Sequence, residues 1–285
     1  MSICYLNGEY LPLDQARISP LDRGFLFGDG IYEVVPSYGG KLVGFTPHID
    51  RMKEGMALIE IDFKWDHAQW KALCETLMAK NGNGNLGIYL HVSRGADTKR
   101  YHAYPEGVEP TLFAFTFEIA QPPVADKTKA KGYKVSSTED LRWRRCHIKS
   151  TALLGNVMHF QKGYAEGNNE TILYNAKNEL TEASACNAFI VKNGVVITPP
   201  LDTQILPGIT RLMLLDILRK HTDIKVEERV VTMKEVAAAD EVWITSSSKE
   251  VAPVISVDGK AVGNGQIGEV WLKAQTAFEA HRYDY

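Results

Sequence analysis

The turn Leu206-Pro207-Gly208-Ile209-Thr210 runs straight into an apolar-periodic segment, so a hydroxyl, free backbone N–H groups and the positive end of a helix dipole converge there. Such a point can hold an anion; the plainer reading is that Thr210 caps the helix. Thr245-Ser246-Ser247-Ser248 follows a buried strand, and hydroxyls in that position either line a ligand crevice or make an ordinary polar turn. Arg51, beside the apolar face of its helix, is either a phosphate partner or a solvated charge. Lys149 stands between the cation-rich Arg142-Trp143-Arg144-Arg145 and a helix start at Ser150. Neighbouring cations and partial burial lower an amine from its ordinary pKa of about 10.4 and favour the free base that a Schiff base requires; the alternative is a plain surface lysine. Glu182 reads as a buried acid or as a strand-edge carboxylate. The glycines from Gly24 to Gly30 resemble a phosphate loop but lack the following Lys-Ser/Thr, so nucleotide binding is not supported.

These residues need a frame, and the punctuation of the chain supplies one. Asn7-Gly8 joins Cys4–Leu6 to Glu9–Leu11, and Gly39-Gly40 joins Ile31–Val35 to Lys41–Phe45, both as hairpins. Thr46-Pro47 opens a helix whose Ile49, Met52, Met56 and Ile59 share one face. A second helix runs from Asp66 to Asn81-Gly82, with Trp70, Leu73, Cys74 and Leu77 inward. Strands at Leu86–Ser93 and Thr111–Ile119 flank a polar loop, Arg94 to Pro110, longer than a hairpin needs and therefore a candidate functional loop. Residues 121–131, rich in Lys and Pro, form a linker between a domain at 1–120 and a larger one at 132–285. Beyond it, Tyr133–Ser137 is a strand, and Ser150-Thr151 caps a helix with Leu153, Leu154, Val157 and Met158 as its apolar stripe. Asn193-Gly194 turns a hairpin, Arg211–Lys220 is a helix and Glu241–Thr245 a buried strand. The architecture is mixed α and β.

Composition narrows the function classes. The chain has 285 residues, 45% hydrophobic and 24% charged, with a formal charge of −3. Two domains with ordinary cores are expected, not a disordered chain. No overall basic field draws in nucleic acid or an anionic membrane. Glu9, Asp14 and Arg17 stand where a signal peptide needs an apolar run, and no stretch approaches the ~18 apolar residues of a membrane span, so a cytoplasmic protein is expected. Four widely spaced cysteines, without a CxxC pair, imply reduced thiols and no structural metal.

Taken in order, several of these segments resemble fold-type IV pyridoxal-phosphate enzymes: the D-amino acid and branched-chain aminotransferases and the aminodeoxychorismate lyases. They are Asp22-Arg23-Gly24 to Glu33, His48-Ile49-Asp50-Arg51, Ile148-Lys149-Ser150, Leu180 to Ser184, Leu206 to Arg211 and Ala239-Asp240-Glu241. The resemblance covers nearly the whole chain. It implies a small N-terminal α/β domain and a larger C-terminal, β-barrel-like domain with helices. It also implies pyridoxal 5'-phosphate as cofactor, held by Lys149 as a Schiff base. Glu182 would then pair with the pyridine nitrogen, Leu206 pack on the ring, and Arg51, Ile209, Thr210, Ser246 and Ser247 hold the phosphate. Arg100-Tyr101-His102 resembles the Arg-x-His pair of the D-amino acid aminotransferases, and Tyr32 matches their third carboxylate contact. This implies a D-amino acid transaminase acting on D-alanine and 2-oxoglutarate or pyruvate, as a homodimer in which that loop serves the neighbouring site. A branched-chain L-amino acid aminotransferase and an (R)-amine transaminase are the alternatives.

Overall fold

Asn7 and Gly8 both adopt positive φ, 46° and 104°, the geometry that a two-residue hairpin turn requires. They join β1 (Ile3–Leu6) to β2 (Glu9–Pro12). The computed structural model describes residues 2–285, which divide into two compact units. Unit 1 comprises residues up to Gln121, with Ile148–Leu153 and Tyr285; unit 2 comprises Pro122–His147 and Leu154–Asp284. A single division near 121–131 therefore omits one feature: the chain returns to unit 1 for six residues around Lys149.

In unit 1, a short helix α1 (Arg23–Phe27) ends on Gly28 in the left-handed conformation and delivers the chain to β3 (Gly30–Tyr38). β4 (Lys41–Leu42) is followed by α2 (Phe45–Leu58), α3 (His67–Asn81), β5 (Leu86–Ser93) and β6 (Thr111–Glu118). The six strands lie in the order β2-β1-β6-β5-β3-β4. Alternation sorts the strand residues. Ile88, Leu90, Val92, Leu112 and Ala114 join Ile49, Met52, Met56, Trp70, Leu73 and Leu77 of the two helices in one core. Asp66 and Gln69 close a capping box on α3. For α2 the expected Thr46 cap gives way to Gly44, which supplies no side chain.

β4 is short and pairs only with Ser37 and Tyr38, so the first half of β3 has an open edge. The returning segment covers it: Tyr32 N donates to Lys149 O (3.1 Å), Thr151 N donates to Gly30 O (2.9 Å) and Ser150 bridges Ile31. Ile148 anchors the segment in the core. Ser150 is thus committed to a strand edge and does not cap a helix.

Unit 2 contains β7 (Tyr133–Glu139), α4 (Leu154–Ala165), β8 (Glu170–Tyr174), β9 (Leu180–Ala183), β10 (Asn187–Lys192) and β11 (Val195–Thr198). Then follow α5 (Ile209–His221), β12 (Val226–Glu228), α6 (Met233–Ala237), β13 (Glu241–Ser246), β14 (Glu250–Val257), β15 (Lys260–Ala261) and α7 (Glu269–His281). The nine-stranded sheet runs β12-β11-β10-β13-β14-β7-β8-β9, with β15 on β14. β9 passes into β10 within three residues, and Ala183 N donates to Cys186 O at 2.7 Å, so the far edge of the sheet is brought back to its middle strand. The sheet curls around Val135, Ile172, Ala188, Ile190, Val242 and Ile244. The stripe expected to bury α4 faces outward instead: Leu154, Val157 and Met158 are 72%, 57% and 65% exposed.

Candidate active site

Lys149 is placed by the strand-like pairing of its neighbours and leaves its side chain on the open face of the unit 1 sheet. Its ammonium lies 4.1 Å from the centre of the Tyr32 ring and makes no hydrogen bond or ion pair among the described residues. Tyr32 stacks on Tyr89 (5.6 Å), and Tyr89 OH meets His91 Nδ1 at 3.1 Å. A cavity of about 520 Å³ opens on this face, with Tyr89, His91, Phe113 and Thr151 among its walls.

On the opposite side of β3, Glu33 is fully buried. Arg51 grips it through Nε to Oε1 and Nη2 to Oε2, both 2.7 Å, and His48 Nδ1 lies 2.7 Å from Oε2. Burial alone pushes Glu33 up, but Arg51 and His48 hold it at about 2. Burial lowers His48 against the pull of Glu33. His48 and Arg51 stand one helical turn apart on α2, and Arg51 is presented with a fixed guanidinium plane.

Arg100 and His102 are exposed, and their contacts go to Phe27: the Arg100 guanidinium lies 5.2 Å from its ring centre and the His102 ring 5.4 Å. Arg100 has no carboxylate partner among the described residues, and neither contact involves Tyr32. The loop backbone is nevertheless anchored. Arg23 donates to the carbonyls of Tyr101 (2.5 Å), His102 (3.2 Å) and Ala103 (3.3 Å), while Asp29 orients both Arg23 and Arg94 at 2.8 Å. Arg94 lies 3.5 Å from the centre of the Tyr104 ring. Sequence reasoning missed this clamp, whose signal was a run of charges in Asp22-Arg23 and Asp29 too close to the glycines for a phosphate loop.

Unit 2 holds the other candidates. Glu182, on β9, is buried; its Oε1 accepts from Arg142 Nη1 (2.7 Å), and its Oε2 from Asn187 Nδ2 and Leu206 N (both 3.1 Å). Burial pushes Glu182 up to about 7 despite Arg142. Leu206 is thereby tied to Glu182 through its backbone. Of the cation-rich stretch, Arg142 is engaged with Asp140 and Glu182, and Arg144 and Arg145 are exposed. The sequence named Arg142 only as one cation of the stretch beside Lys149, and Asn187 not at all.

Thr210 is not the cap of α5. Gly208 occupies that position without a capping side chain, so the N–H groups of Ile209 and Thr210 head a 13-residue helix with the Thr210 hydroxyl among them. Ser246 ends β13, its Oγ buried with no hydrogen-bond partner among the described residues; Ser247 follows. An uncapped helix start and an orphaned hydroxyl suit a dianionic phosphate.

Comparison with known proteins places the chain in a family. The family described as amino-transferase class IV matches residues 30–257. The D-alanine aminotransferase of Bacillus licheniformis is 37% identical over 273 residues, 96% of this chain and 94% of that one. The D-alanine aminotransferase of Staphylococcus haemolyticus is 34% identical over 282 residues, 99% and 98% of the two chains. The structure of Escherichia coli branched-chain amino acid aminotransferase superposes with a TM-score of 0.90 at 22% identity, covering 99% of this chain and 95% of that one. That likeness shows a shared fold, the fold-type IV architecture. With the family matched across most of its length and a lysine, a buried glutamate and an uncapped helix start in the matched region, the chain belongs to the class IV aminotransferases, enzymes that work with pyridoxal 5'-phosphate.

Proposed function

We propose that the enzyme is a D-amino acid transaminase that moves an amino group between D-alanine, with other D-amino acids, and 2-oxoglutarate or pyruvate. The observation that carries this reading is the nearly end-to-end likeness to D-alanine aminotransferases. Arg100, exposed and without a carboxylate partner among the described residues, supports it, because a substrate carboxylate needs a charge-assisted partner and Arg offers two parallel bonds.

Pyridoxal phosphate, when bound, supplies an electron sink for the charge left as the substrate's Cα loses its proton. Lys149 would hold the cofactor through Nζ and, as a free amine, would move the proton lost from the substrate's Cα. Glu182 would face the pyridine nitrogen and favour its protonated form. Leu206 would pack on the ring, and Arg51, Ile209, Thr210, Ser246 and Ser247 would hold the phosphate. Tyr32, Arg100 and His102 hold the substrate carboxylate.

The protein works as a homodimer, the Arg100–His102 loop of one protomer serving its partner. The outward stripe of Leu154, Val157 and Met158 supports this, since exposed apolar groups of that size mark contact surfaces. No helix is long and apolar enough to cross a membrane, and four free cysteines suit the cytoplasm. A panel of amino donors in both enantiomers tests the substrate assignment. Turnover with D-alanine and none with L-leucine is expected; robust use of L-leucine or L-valine without D-alanine overturns it.

A further inference from the structure

Glu182 belongs to a larger charged cluster. Asp140 chelates Arg142 through Nε to Oδ1 (3.0 Å) and Nη2 to Oδ2 (2.8 Å), and also accepts the Arg142 backbone N–H at 3.0 Å. Thr181 Oγ1 donates to Asp140 at 3.1 Å. The remaining arm of the guanidinium, Nη1, reaches Glu182. The side chains of Asp140, Arg142 and Glu182 are only 10%, 4% and 5% exposed. One cation therefore faces two carboxylates in a site with little water, and the cluster holds an excess of one negative charge.

Among the described residues no further charged side chain bonds to the cluster; Asp202 acts on the neighbouring Cys146 and Lys162 on His159. Burial pushes the Cys146 thiol up to about 11 and lowers His159, whose Nε2 accepts the Leu141 N–H at 3.2 Å and so carries no proton. Asn187 and Leu206 contribute neutral donors. An excess buried charge is unfavourable unless a cation completes it or a proton removes it. Burial raises Glu182 to about 7, with Asp140 adding to the rise and Arg142 opposing it.

We propose that Asp140 is a positioning residue for the cofactor's ring nitrogen: by neutralising Arg142, it leaves Glu182 a full negative charge to balance one protonated pyridine. This deepens the role of Glu182 given above and rests on it. Without Asp140, Arg142 and Glu182 form a closed neutral couple, and the ring nitrogen meets no net charge. A carboxylate that never touches the cofactor thus sets its protonation.

The test is the 15N chemical shift of the ring nitrogen in holoenzyme reconstituted with 15N-labelled pyridoxal phosphate, followed against pH. Wild type is expected to show a protonated nitrogen at neutral pH. Asp140→Asn should lower the midpoint of its titration by at least one pH unit, a tenfold fall in the protonated ratio, and Asp140→Glu should restore it. Arg142→Gln, which removes the cation and raises the formal excess from one negative charge to two, should leave the nitrogen protonated. A structural role alone would not move the two variants differently. A wild-type midpoint in folded Asp140→Asn overturns the inference, as does a lost proton in Arg142→Gln. Should Asp140→Asn not fold, Arg142→Gln decides. If Glu182→Gln also keeps the wild-type shift, the reading of Glu182 fails, and with it this proposal; if Glu182→Gln loses the proton and Asp140→Asn does not, only the Asp140 proposal falls.

Discussion

Glu33 and Arg51 meet through two parallel hydrogen bonds of 2.7 Å, a fork on a carboxylate that is wholly shielded from water. The pair fixes the plane of Arg51 without leaving the guanidinium free to rotate. Breaking such a pair strands a buried charge, which typically costs about 3–5 kcal/mol. Glu33→Gln is expected to lose stability of that order in urea unfolding and to weaken cofactor retention; unchanged stability would show that the fork is not what orders Arg51. The pH dependence has a definite sign. Glu33 sits at about 2 in the fold against an ordinary value of 4.5, so its contribution is complete above about 4.5 and is lost as the pH falls toward 2.

Borohydride reduction of the purified holoenzyme followed by peptide mapping should place a pyridoxyl group on Lys149. Lys149→Ala should abolish that adduct while the phosphate contacts still retain some cofactor. An adduct on any other lysine refutes the assignment.

Glu182→Gln keeps the shape of the side chain and removes its charge. Turnover should fall by more than about tenfold, ~1.4 kcal/mol in the barrier, with the cofactor still bound. Wild-type turnover in the loaded variant would exclude the electronic role.

Arg100→Ala is expected to weaken the use of D-alanine and 2-oxoglutarate by roughly 1.5–3 kcal/mol in kcat/KM, the range for hydrogen bonds to charged groups, with a carboxylate-free (R)-amine little affected. Arg23→Ala should act in the same direction through the loop backbone, raising KM for both substrates and leaving cofactor retention intact. Identical losses for the amine and the amino acid would locate the carboxylate contact elsewhere.

What could be read from the residues was what is decided locally. The Asn7-Gly8 and Asn193-Gly194 hairpins and the helix start at Asp66 follow from a few adjacent residues, and so does the turn at Pro207-Gly208. Thr210 was ambiguous for the same reason: one position in register separates a cap from the first turn, and hydroxyls suit both. The clamps were not legible. Arg23 reaches Tyr101 across 78 positions and Arg142 reaches Glu182 across 40, distances at which a charge gives no hint of its partner. The α4 stripe shows the reverse failure, since periodicity marks an apolar face without saying what covers it.

The six residues around Lys149 close the edge of β3 from more than a hundred positions further along the chain. A nascent chain that has emerged only to Gln121 has every strand of the unit 1 sheet, yet its β3 edge at residues 30–32 has neither its partner nor Ile148 in the core. Unit 1 therefore cannot mature as an independent N-terminal piece; its last step waits for translation of the first part of unit 2. The lysine is set in place by that late closure, so an incomplete chain also lacks the amine proposed to carry the cofactor.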